Sequence, residues 1–223
     1  MHHLTLRLLT AALRRMWKKK ETSLQLIALL AKRAPHQVGR AMPAAIPKLM
    51  ECLQDTHPKV SAAAATALAD VASVITQPEI QKNMSTLIEA LSKPEQKTAA
   101  CLEKVWCTMP DARSMHMLTH ELLSQLMETT FVNSMDSPAL AVVVPIIARG
   151  LRERSAELKK MAAMTAGNIF ALVNEPRDMA PFVPIILPEV GKAVEHSHPD
   201  VRHAWHAFCA PQCHSHASCV CGL

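Results

Sequence analysis

Tyrosine is absent from this 223-residue chain, and three Trp with four Phe bring the aromatic share to only 3%. Stacking platforms for unpaired bases are therefore scarce, which argues against single-strand nucleic-acid recognition. Glycine is almost as sparse: the five sit at positions 39, 150, 167, 191 and 222, and none forms the cluster that cradles phosphate in a P-loop or dinucleotide fingerprint. No apolar run reaches the roughly 18 residues of a bilayer span, because Pro, Lys or Arg interrupts every long stretch. Nucleophile elbows, HExxH and paired catalytic carboxylates are also missing, so the sequence points away from an enzyme and calls for no cofactor. Acidic residues are missing from Met1 to Lys20. That basic start reads either as a transit or secretion signal or, from the spacing of Leu4, Leu8 and Leu9, as a truncated repeat helix.

What is present is periodic. Pro47 and Val60, Pro145 and Leu158, and Pro188 and Val201 are each thirteen residues apart. Pro58 and Pro199 recur eleven residues after their anchors, and Pro78 and Pro176 both lie eighteen past Val60 and Leu158. Self-similarity at about forty residues is the mark of a solenoid. Ile46, Leu49, Met50 and Leu53 follow the spacing of one buried helical face, an outer A helix. Asp55 to Pro58 makes the turn, and Val60, Ala64, Ala67, Leu68, Val71 and Ile75 stripe the second, B helix. Pro145 to Leu151 and a B helix from Leu158 to Val173, with Met161, Ala162, Thr165, Ile169 and Leu172 inward, repeat the grammar. Because the three anchor prolines fall in A helices, those helices are expected to bend or to start late. No alternation of strand period competes, and an all-α, HEAT/armadillo-like α-solenoid of antiparallel helix pairs is predicted over residues 1–202, with about five units. Such a piece is expected to belong to a longer protein, since each unit covers its apolar face only against neighbours.

Two segments break the period. From Ile88 to Pro145 is fifty-seven residues, against forty-three from Pro145 to Pro188; removing Val105 to Gln125 leaves thirty-six and joins Lys104 to Leu126. Valine codons begin with GU and one glutamine codon is CAG, so this in-frame block of twenty-one residues has the ends of a retained intron, with a lineage-specific loop as the alternative. Residues 203–223 replace the expected B helix by a disordered tail crowded with Cys209, Cys213, His214, His216, Cys219 and Cys221. These are soft ligands for zinc, yet C-x3-C-H-x-H-x2-C-x-C fits no familiar tetrahedral spacing, and read-through sequence is the favoured reading over a metal site. Cys52, Cys101 and Cys107 are unpatterned and read as reduced thiols.

The ordered strings Thr129-Thr130-Phe131-Val132-Asn133-Ser134-Met135-Asp136-Ser137-Pro138 and Arg149-Gly150-Leu151-Arg152-Glu153-Arg154-Ser155-Ala156-Glu157 carry a specific likeness, supported by Ile46-Pro47-Lys48-Leu49, Asp55 to Val60 and Leu187-Pro188-Glu189-Val190. Through them the chain, from about Trp17 to Arg202, resembles the elongation-factor-three-like region of the HEAT-repeat translational activators of the general-control kinase, which phosphorylates initiation factor two alpha during amino-acid starvation. The resemblance implies a cytoplasmic, non-catalytic scaffold with three partners: the ribosome, a cassette-type ATPase partner protein, and the kinase through the full-length protein. Fungal-type elongation factor three shares the TTFV and RGL-x-ER pieces and is the nearest rival; a transport or microtubule HEAT adaptor is the other reading.

The net charge of +5 is mild. Arg149, Arg152, Arg154, Lys159 and Lys160 gather around one turn, a candidate contact for ribosomal RNA phosphate or an acidic partner, and Lys18 to Lys20 form a second run. Contact of this kind is electrostatic and salt-sensitive, without sequence-specific reading of nucleic acid and without a membrane.

Overall fold

The computed structural model describes residues 16–92, 110–194 and 198–203. Among the described residues there are ten helices and no strand: α1 (Trp17–Arg33), α2 (Pro35–Leu53), α3 (Pro58–Ala72), α4 (Pro78–Lys82), α5 (Met84–Ser92), α6 (Pro110–Glu128), α7 (Ser137–Arg152), α8 (Ala156–Phe170), α9 (Pro176–Met179) and α10 (Val183–Val194). A further helical turn covers 199–203. This is the all-α helix-pair architecture that the proline spacing predicts. The chain divides into two compact units, Met1–Pro94 with Asp136–Val142, and Glu95–Met135 with Val143–Leu223.

In the first unit α2 and α3 form an antiparallel pair, and α1 lies chiefly along α3, as one B helix stacks on the next. The predicted B stripe is buried throughout: Val60, Ala64, Ala67, Leu68 and Val71 are fully covered, and Ile75 lies just past the helix. The A stripe runs one turn further N-terminal than the sequence spacing suggests. Val38, Ala41, Met42, Ala45, Ile46, Leu49 and Cys52 are buried, while Met50 and Leu53 are half-buried. Pro47 does not mark a late start, because α2 begins at Pro35 and carries both Pro43 and Pro47 inside it. Pro145 and Pro188 are likewise interior to α7 and α10. Each interior proline removes one N–H from the ladder, so the carbonyl four residues earlier loses its helical donor. Burial of the same helix, with Met42, Ile46 and Leu49 at 0% exposure, offsets that loss.

In the second unit α6 packs along α8 in the same B-to-B manner. Residues 110–125 of the block read as an interruption are part of α6, and Thr119, Leu122 and Leu123 are fully buried there. Residues 105–109 of that block, and the Cys/His-rich tail from 204 on, lie outside the described residues. In α8, Ala162, Thr165 and Ile169 face inward as expected, joined by Leu158, Ala163, Ala166 and Phe170, whereas Met161 and Leu172 are half-buried. Within this unit α7 is covered almost all round from Val143 to Leu151.

Gly150 marks the tightest approach. A Cβ there would stand 2.9 Å from Ala162 Cβ and 2.9 Å from Leu123 Cδ1, so α6, α7 and α8 converge on the missing side chain. Gly191 in α10, by contrast, has nothing within 4 Å of such a Cβ. Replacing Gly150 by Val should therefore cost about 1–3 kcal/mol through overpacking. Gly191→Ala should be neutral or stabilise by up to about 1 kcal/mol through helix propensity. Urea denaturation followed by circular dichroism checks both; equal effects at the two glycines would contradict the packing.

Candidate functional site

The five basic residues that the sequence gathers around the α7–α8 turn separate once folded. Arg149 is 3% exposed and belongs to the interior of the stack. Arg149 follows Ile146 by three residues within the covered part of α7, whereas Arg152 is the last residue of that helix and is exposed. Arg152 turns to α10, where its Nε donates to Glu189 Oε1 at 3.0 Å. Lys192 adds a second donor to the same carboxylate at 3.3 Å. Lys160 Nζ stands 3.6 Å from Asp200 Oδ2, an exposed pair of small energetic weight. Arg154 is exposed and Lys159 half-buried. The turn itself is set by Ser155, whose Oγ accepts from the Leu158 N–H at 3.4 Å and so caps α8.

Glu189 is 7% exposed and is the structural centre of that group. Burial pushes its carboxyl up, but hydrogen bonds from Arg152 and Lys192 outweigh burial and hold it below the ordinary 4.5. The strings of the family likeness have a structural role here as well: Met135 N–H donates to Leu172 O at 3.0 Å, tying the TTFVNS segment to the end of α8, while Asp136 Oδ1 accepts from Ala139 N–H at 3.1 Å and caps α7.

The first unit presents a better organised basic corner, built on the α2–α3 turn. Asp55 Oδ1 accepts from the His57 N–H at 3.0 Å, closing an Asx turn, and its other oxygen takes the Lys20 ammonium of α1. The Lys20 bond first, and the His57 bond second, hold the Asp55 carboxyl below its usual range. This clasp sets α1 against the turn. Trp17 then stacks on His57 with ring centroids 4.2 Å apart and planes 11° from parallel. Lys18 Nζ and Lys59 Nζ lie 5.6 and 5.5 Å from the Trp17 ring. Two ammonium groups thus flank one fixed aromatic side chain. The Lys18–Lys20 run was legible in sequence, but it divides: Lys20 is a structural partner of Asp55, and Lys18 and Lys19 are exposed. What sequence reasoning missed is Lys59 with Trp17 and His57, residues forty apart that only the α1–α3 contact brings together.

Cys52 is a buried thiol outside any disulfide, and burial pushes its pKa up, with Lys20 pulling the other way. Among the described residues no group of three or more His, Cys, Asp or Glu is placed to hold a metal. No helix of the described residues is long and apolar enough to cross a membrane. The candidate tail ligands Cys209, Cys213, His214, His216, Cys219 and Cys221 fall outside the described residues.

Comparison with known proteins agrees with the helix pairs. Residues 118–210 match the elongation factor 3/GNC1 HEAT repeat, and residues 2–68 match the EF3 N-terminal HEAT repeat, which together span more than two thirds of the chain. The chain belongs to the elongation factor 3/GNC1 HEAT-repeat family. Protein ILITYHIA of Arabidopsis thaliana is 42% identical over 192 residues, covering 83% of this chain and 6% of its own length. The eIF-2-alpha kinase activator GCN1 of Dictyostelium discoideum is 36% identical over 88% of this chain and 6% of its own. The stalled ribosome sensor GCN1 of Homo sapiens is 34% identical over 87% and 6%. The chain thus spans about 6% of the length of these curated relatives.

Removing Arg152 leaves the buried Glu189 carboxylate with Lys192 as its remaining basic hydrogen-bond donor. Arg152→Ala should cost about 1–2 kcal/mol, with Arg154→Ala within about 0.5 kcal/mol of wild type. Because the folded-state pKa of Glu189 lies below 4.5, the stability it contributes is complete above pH 4.5 and is lost as pH falls through the folded value. Stability measured from pH 7 to pH 3 should accordingly fall less steeply in Arg152→Ala than in wild type; parallel acid limbs would rule out the pairing.

Proposed function

We propose that this chain is a non-catalytic HEAT scaffold segment that works at the ribosome and contributes to activation of the initiation factor two alpha kinase in amino-acid starvation. Two relatives are named for these roles, a kinase activator and a stalled ribosome sensor, and the family match is to HEAT repeats alone. The observation that carries the reading is the corner at Trp17. Lys18 and Lys59 hold positive charge at an exposed rim, over a ring fixed by His57 and by the Lys20–Asp55 clasp. Preorganised ammonium groups of this kind suit the phosphates of structured RNA. Of the predicted group at the α7–α8 turn, Arg154, exposed, and Lys159, half-buried, form a second candidate contact.

The working place of such a scaffold is the cytoplasm. The kinase is engaged through the longer protein, and a cassette-type ATPase partner protein shares the ribosome. A second reading, the HEAT region of an elongation factor three, rests on the same family models. Nucleotide-binding cassettes in the reading frame downstream would favour it; further HEAT repeats on both sides favour the activator.

Cosedimentation of the purified chain with ribosomes at increasing salt tests the proposal. Binding should weaken with salt, and Lys18→Glu with Lys59→Glu should lower affinity and flatten the log–log salt slope by about 1.5 to 2. Arg154→Glu with Lys159→Glu measures the second contact separately. A chain that fails to sediment with ribosomes even at low salt sinks the reading.

A further inference from the structure

The twenty-one residues 105–125 contribute to a core helix, yet the sequence before them can build the same helix. Among the described side chains of α6, Thr119, Leu122, Leu123 and Leu126 are buried, while Met117 is 65% exposed and Glu121 is exposed. Joining Lys104 directly to Leu126 places each residue of 96–104 where the residue twenty-one later stands now. Thr98 then falls at Thr119, Cys101 at Leu122 and Leu102 at Leu123: the same residue at two positions and a small apolar one at the third. Gln96 falls at the exposed Met117, Ala100 at Glu121, and Glu103 and Lys104 at the half-buried Ser124 and Gln125. The most constrained contact is retained, because the side chain against Gly150, 2.9 Å from where its Cβ would be, is Leu123 in one chain and Leu102 in the other.

The connection between helices points the same way. The turns in α2–α3 and α7–α8 take four and three residues. Without the block, Ser92 and Lys93 are followed by Pro94 ahead of Thr98, so Pro94 stands where a helix after a short turn starts, as Pro58 does at the head of α3.

We infer that residues 105–125 are an exchangeable segment: the chain with the block and the chain without it form the same α6–α8 packing, with Thr98, Cys101 and Leu102 standing in for Thr119, Leu122 and Leu123. A message that keeps the block and one that removes it then both encode a folded second unit.

Two deletions in the full chain decide the matter. Removal of 105–125 keeps the register, so the protein should unfold cooperatively with Tm within about 5 °C of the parent and the same helical content. Removal of 105–124 keeps Gln125 and places Glu103 against Gly150, with Leu102 at the Leu122 position; Tm should fall by more than about 10 °C, or the second unit should fail to fold. The inference is overturned if the two deletions behave alike, whether both fold or both fail. Sequencing transcripts across the codons for Lys104 and Leu126 then shows which form is made, and either or both forms agree with an exchangeable segment when the register-keeping deletion folds.

Discussion

Close approach of consecutive B helices is the contact on which the rest of the structure depends. In a solenoid no helix pair can cover its own apolar face, so each B helix must lie against the next one along most of its length. Small residues make this possible: Ala64 and Ala67 in α3, and Ala162, Ala163 and Ala166 in α8, are all fully buried. With aromatic side chains at 3% of the chain, little stands in the way of such contacts. Gly150 takes the same logic to its limit, since there even a methyl group would collide with α6 and α8 at once. The approach of helices in turn sets the turns, and the turns set the charges that face solvent.

Interior prolines show how far packing overrides local preference. Pro43, Pro47, Pro145 and Pro188 each stand inside a helix, where a proline costs about 3 kcal/mol by intrinsic propensity. The helices persist because their faces are covered: α7 is buried from Ala139 through Val144 and again from Ile146 to Leu151. A chain that recruits proline this way gains a fixed φ at a recurring position and gives up one N–H per interior proline. That exchange also explains why the prolines served as landmarks in the sequence while the helix starts they seemed to announce, Pro35, Ser137 and Val183, lay earlier.

The repeat, the turns and the B-helix stripes were legible because each follows from a local rule: apolar residues at i, i+3 and i+4, Asp or Ser before a turn, Pro at the first helical position. The A-helix stripe was placed one turn late because Met50 and Leu53 continue the spacing beyond the region that neighbours cover. The basic group at the α7–α8 turn was legible as composition but not as surface. Whether Arg149 points outward depends on how many sides of α7 are occupied, and that is a property of the stack and not of the helix. The corner at Trp17 was illegible for a related reason: Trp17, His57 and Lys59 meet only through the long-range contact of α1 with α3.

Charged residues in this fold therefore divide according to whether a neighbouring helix supplies an opposite charge within reach. Lys20 meets Asp55, Lys32 meets Asp70 at 3.0 Å, and Arg152 meets Glu189. In each pair one partner comes from a helix and the other from the next helix or turn along the stack, so the pair reports stacking register as well as charge. Exposed pairs of this type contribute little energy, but a pair with a buried member, as at Glu189, penalises misregister because a shifted helix leaves the carboxylate unmet. Lys18 and Lys59 have an aromatic ring between them in place of an acid. A cation held over a ring keeps most of its charge available to an outside anion, whereas a cation in an ion pair does not. The same stacking that consumes Lys20 in holding α1 to its turn thereby presents its neighbours as a surface to which an anionic partner can bind.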